Sequence, residues 1–119
     1  MVEREDQASA AAASQQGDTA NDDSIPDFEQ LNLPEIYSDT ISKTHVGLIL
    51  VCGVTGCGKS STLAAMLDYV NEHRAMHIIT IEDPIEYVFH ARHCIISQRE
   101  VGLDVPSFHQ ALRYVVRQD

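Results

Sequence analysis

Gly53-Val54-Thr55-Gly56-Cys57-Gly58-Lys59-Ser60 matches the phosphate-loop pattern G-x-x-x-x-G-K-[ST] at every fixed position. Its flanks are those the pattern needs. Ahead of it Val46-Gly47-Leu48-Ile49-Leu50-Val51-Cys52 is short and apolar, which predicts a buried strand. Behind it Ser61 to Val70 carries apolar residues at helical spacing, which predicts a helix running to about Arg74. Glycines at 53, 56 and 58 let a backbone turn its N–H groups inward through φ values that a Cβ penalises. The helix start adds unpaired N–H groups and the positive end of its dipole. Lys59 is then expected to reach the terminal phosphates of a nucleotide and Ser60 to hold Mg²⁺. The expected cradle is Gly53, Val54, Thr55, Gly56, Cys57, Gly58, Lys59, Ser60 and Ser61.

Working outward, the 119 residues allow one domain at most, and 44% hydrophobic content is that of a globular chain. The charge is uneven. Residues 1–30 carry eight acids against Arg4, a net of −7, and the remainder carries −3 of the total −10. With no basic stripe, nucleic acid is not an expected partner. Three cysteines in no framework spacing, no signal-peptide core and no membrane-length apolar run point to a cytoplasmic chain with reduced thiols and no membrane insertion. Residues 1–25, rich in Ala, Ser, Gln and Asp, are expected to be disordered, with at most a transient helix at 8–13. Residues 26–119 form the predicted α/β unit.

Within that unit Pro34 is expected to open a helix to about Lys43, burying Leu33, Ile36, Tyr37 and Ile41. Met76–Ile81 predicts a second buried strand, parallel to the first across the intervening helix. Tyr87–Phe89 and Cys94–Ser97 predict two short strands, and Gln98–Asp104 a polar loop. Pro106-Ser107 is expected to open a helix facing Phe108, Leu112, Val115 and Val116 inward. Acids at the carboxyl end of a strand beside a phosphate loop are where α/β nucleotide sites keep their chemistry. Glu82, Asp83 and Glu86 are the candidates there, with a solvated strand cap the competing reading.

These residues carry a resemblance. Gly47–Met66 is similar to the Walker A region of the pilus-retraction (twitching-motility) and type II secretion ATPases, and His77–Tyr87 resembles their Asp box. Ser97–Asp104 and Phe28–Pro34 fit the same family. The resemblance implies a partial RecA-like P-loop core with parallel central strands, cut short before the Walker B strand, so that the chain reads as the front part of a longer motor. It implies ATP and Mg²⁺ as ligands. Glu86 would act as general base, with Glu82 and Lys59 as further catalytic groups. Ser60 would hold Mg²⁺, and Asp83 would reach it through water. The implied partners are other copies in a homo-hexamer and an inner-membrane platform protein of a pilus machine, met from the cytoplasmic side. Val54 and Cys57 depart from the family's usual Pro and Ser. An unpaired sheet edge is expected where the Walker B strand would lie. Other readings remain open: a type II secretion or pilus-assembly ATPase, a nucleotide-binding module without turnover, or a small P-loop kinase.

Overall fold

The computed structural model describes residues 8–14 and 24–117. The elements run β1 (Ala8–Ser14), α1 (Ile36–Lys43), α2 (Lys59–His73), β2 (His77–Asp83), β3 (Ile95–Glu100) and α3 (Phe108–Val116). The three strands form one parallel sheet in the order β1-β2-β3. This is the mixed α/β class with parallel strands expected from the pattern.

β2 is the axis of the fold. Its residues His77-Ile78-Ile79-Thr80-Ile81-Glu82-Asp83 are β-branched and apolar through the middle and end on two acids. Side chains alternate across a strand. Ile78 joins Met66, Leu67 and Val70 of α2, Ile41 of α1, Met76 and Cys94 in one core. Ile79 and Ile81 join Val105, Ala111 and Val115 in a second core beneath α3. The alternation that sends Ile79 and Ile81 to α3 puts Thr80 and Glu82 on the α2 face. The fold thereby delivers a carboxylate to the face that carries the phosphate loop.

α2 begins at the lysine of the loop, after Gly58 at φ 91°, a left-handed value that favours glycine. α3 is capped by Ser107, whose Oγ accepts from the Gln110 N–H at 3.3 Å. Asn71, fully buried on α2, ties down the 90–94 turn. Its Oδ1 accepts from the Arg92 and Cys94 N–H groups at 3.0 and 3.3 Å, and its Nδ2 donates to the His90 carbonyl at 2.8 Å. No helix among the described residues is long and apolar enough to cross a membrane.

Several expectations are corrected. Val46–Cys52 is not a strand. It bends at 45–47 and runs on without regular pairing, with Val46, Leu48 and Leu50 exposed at 74, 68 and 74% and only Ile49 and Val51 turned toward the core. An apolar composition permits a strand, but a strand exists only as a ladder, and no described segment pairs with this one. The opposite error occurs at Ala8–Ser14, expected within a disordered segment, which forms β1 along the outer edge of β2 in register Ala8↔His77 to Ser14↔Asp83. Side-chain burial governs autonomous folding, whereas an open strand edge offers a row of backbone partners whatever the side chains. One edge of β2 is therefore covered by the chain's own amino-terminal segment. The rest of the predicted disordered segment up to residue 23 lies outside the described residues. Tyr87–Phe89 is loop, and β3 extends through Gln98–Glu100, which had read as loop. Ile36, Leu112 and Val116 are exposed, while Ala111 takes the central contact of α3.

Candidate nucleotide site

The phosphate loop stands at the surface, with residues 53–58 all exposed. Its bend is set by Gly56 and Gly58 at φ 79° and 91°, and by the Cys57 N–H bonding the Val54 carbonyl at 3.3 Å. A Cβ at position 53 would meet the Cys57 sulfur, which would have to turn away. The Lys59 ammonium folds back over the loop, donating to the Gly53 and Val54 carbonyls at 2.8 Å each, with Cys57 Sγ at 3.9 Å. A phosphate placed in the loop would compete with these carbonyls for the ammonium, and the charged acceptor makes the stronger bond.

Beneath the loop a small cavity of about 20 Å³, room for about one water molecule, lies between α2, β2 and the 84–89 loop. Ser60, Thr80, Glu82 and Glu86 supply its polar lining, among apolar groups that include Leu63 and Phe89. Two oxygens aimed at this space are buried with no hydrogen-bond partner, Ser60 Oγ and Glu86 Oε1. A hydroxyl and a carboxylate left unsatisfied together are costly unless something occupies the space between them. Both are hard oxygen donors of the kind that Mg²⁺ and its waters take.

The two carboxylates are held differently. Glu82 is buried, and its Oε2 accepts from Thr80 Oγ1 at 2.8 Å and Gln98 Nε2 at 3.0 Å. Burial pushes its carboxyl above the ordinary range, the Gln98 and Thr80 bonds pull it down, and the Glu86 and Glu100 charges push it up again. Glu86 is also raised, chiefly by desolvation, with the nearby Ser60 hydroxyl opposing this without closing a bond of good geometry. Asp83 ends β2 in an exposed position.

The structure thus brings Ser60, Glu82 and Glu86 to one cavity, leaves Lys59, the first residue of α2, outside its lining, and keeps Asp83 at the surface. Thr80, Gln98, Glu100, Tyr87 and Ser61, which bond to these carboxylates or to the loop between them, carried no sequence signal of that role. Pairing of β2 with β3 brings Gln98 and Glu100 there, and α2 brings Ser61 to Tyr87.

With this geometry in place, the comparisons agree on one kinship. The family model described as Type II/IV secretion system protein matches residues 22–119. The chain belongs to that family. It is 48% identical over 94 residues to the uncharacterized protein YggR of Escherichia coli K12, covering 79% of this chain and 28% of that protein. It is 51% identical over 94 residues to the type IV pilus ATPase PilU of Pseudomonas aeruginosa, covering 79% of this chain and 24% of that protein. A crystal structure of the pilus retraction motor PilT with bound ADP superposes with a TM-score of 0.77 at 52% identity, over 81% of this chain and 28% of that one. The chain spans about a quarter of the length of the relatives it matches.

Proposed function

We propose that this chain binds ATP with Mg²⁺ through Gly53–Ser61 and forms part of a motor ATPase that drives type IV pilus retraction. The observation that carries the reading is the pair of buried, unpartnered oxygens, Ser60 Oγ and Glu86 Oε1, in one cavity under a phosphate loop. In this reading Lys59 would leave the Gly53 and Val54 carbonyls for the phosphates, and Ser60 would hold the metal. Bound Mg²⁺ supplies neutralisation of the phosphate charge. Glu86 accepts the proton of the attacking water. A carboxyl raised by desolvation suits that task, because a base works best with its pKa nearer the working pH. Glu82 would hold a wall of the cavity, and Asp83, exposed at the end of β2, would be a further carboxylate available to the metal's waters.

Kinship with the retraction-motor structure favours retraction over secretion. The same kinship underlies the proposal of a homo-hexamer working on an inner-membrane platform protein from the cytoplasm. The test is Mg-ATP binding by this chain and by Lys59→Ala, with phosphate release followed in the same samples. Binding lost in the variant supports the reading, and equal binding by both chains overturns it. Lys59-dependent release identifies the residues present as a sufficient catalytic set, whereas binding without release identifies a nucleotide-binding portion of the motor.

A further inference from the structure

The 84–89 loop carries Glu86 but belongs to no helix or strand, and Glu86 itself has an oxygen without a partner. A loop of six residues loses conformational entropy on fixing each of them, so something must hold it. The holders come from β3 and α2. Glu100 Oε1 accepts from the Ile85 N–H at 2.8 Å. Gln98 Nε2 donates to the Tyr87 carbonyl at 2.7 Å, and Gln98 Oε1 accepts from the Phe89 N–H at 3.0 Å. The second Nε2 hydrogen goes to Glu82 Oε2 at 3.0 Å. Tyr87 Oη meets Ser61 Oγ at 3.0 Å, on the residue that follows Ser60.

We propose that Gln98, Glu100 and Tyr87 are positioning residues, a clamp that fixes the loop on both sides of Glu86 and so holds its carboxyl against Ser60. The proposal rests on the reading that this cavity serves a Mg-nucleotide. Gln98 is the centre of the clamp for a chemical reason. Tyr87 O and the Glu82 carboxylate only accept and the Phe89 N–H only donates, so the position needs one side chain with two donors and an acceptor. An amide of glutamine length meets that need; a carboxylate or a thioether does not. Gln98 and Glu100 stand two apart on β3 and so share one face of the sheet, the face that Glu82 shares on β2. The clamp thus ties one carboxylate directly and the other through the main chain on either side of it.

The test uses Gln98→Met, which keeps length and removes all three bonds, Tyr87→Phe, which removes one hydroxyl, and Glu100→Gln, which keeps an acceptor for Ile85. Two quantities are read: hydrogen exchange at the Ile85 and Phe89 amides without ligand, and ADP affinity by calorimetry with and without MgCl2. Gln98→Met is expected to speed exchange at Phe89 and to lower the gain in ADP affinity that Mg²⁺ confers by about tenfold, as for other residues that orient metal-binding groups. ADP affinity without Mg²⁺ stays within about twofold, because the phosphate loop is untouched. Tyr87→Phe moves the same quantities less, and Glu100→Gln leaves them in place. A folded Gln98→Met chain with unchanged exchange and an unchanged Mg²⁺ gain overturns the clamp. If Gln98→Met does not fold, a folded Tyr87→Phe chain with an unchanged Mg²⁺ gain overturns it equally. If the unaltered chain binds ADP no better than Lys59→Ala, the nucleotide reading fails, and the exchange measurement still decides the clamp.

Discussion

Two apolar runs of similar length lead into the candidate site, and the fold treats them oppositely. Met76–Ile81 lies at the centre of the sheet, with β1 on one side, β3 on the other, and Ile78, Ile79 and Ile81 almost wholly buried between α2 and α3. Val46–Cys52 runs up to the phosphate loop with its outer row, Val46, Leu48 and Leu50, in solvent. Both runs carry side chains suited to a buried strand. The difference is backbone partnership, since one run has a ladder on each edge and the other pairs with no described segment. The consequence reaches the site. The carboxylate wall built on β2 is cross-braced by hydrogen bonds, while the loop proposed to meet the phosphates hangs from an unpaired approach.

Amide exchange gives the widest separation. Amides of Ile78–Glu82 are expected to exchange by global opening, several orders of magnitude more slowly than those of Leu48–Val51, measured by exchange NMR. Equal protection of the two runs would show that Val46–Cys52 pairs in solution and would dissolve the contrast. Side-chain truncation comes next. Ile79→Ala, at a site with no exposure, is expected to cost about 2–5 kcal/mol in urea unfolding. Leu50→Ala is expected to stay within about 0.5 kcal/mol. Comparable losses would mean that Leu50 is buried by a partner. Asn71→Ala, which strands the Arg92 and Cys94 amides and the His90 carbonyl, is expected to cost about 1–3 kcal/mol in the same assay. A neutral result would move the bracing of the β2 side elsewhere.

The smallest effect is electrostatic. The Glu86 carboxyl is raised in the folded chain, so the fold binds its proton more readily than the unfolded chain does. Its contribution to stability is then greatest below the ordinary value of 4.5 and declines as pH rises from there through the raised folded value. Glu86→Gln removes the charge, and is expected to raise the melting temperature by a few degrees at pH 7 and to change it little at pH 4. A variant that melts lower at pH 7 would mean that the carboxylate is stabilised by a group near Ser60, which would sharpen the case for a partner in the cavity.

Legibility followed the kind of signal. The phosphate loop was readable because its chemistry is local: glycines where φ is positive, a lysine and serine at the helix start, all within eight residues. α2 and α3 were readable from helical spacing, with Pro106-Ser107 marking the start of α3, and β2 from its apolar run. Glu86 and Glu82 were readable as candidates only, since acids after a strand are equally a solvated cap. What separates the readings is burial beside Ser60, which depends on where α2 packs. Gln98 was unreadable because its three bonds join residues 9 to 16 positions away.

The sequence by itself determined the phosphate loop, the helix it opens and the buried apolar strand that ends in acids, because each is written in neighbouring residues. The tertiary structure alone decided which apolar run became a strand, which segment covered the edge of β2, and which side chains fixed Glu86 over Ser60. Those outcomes depend on pairing between distant backbones, and a ladder forms where a complementary edge is within reach rather than wherever composition permits one.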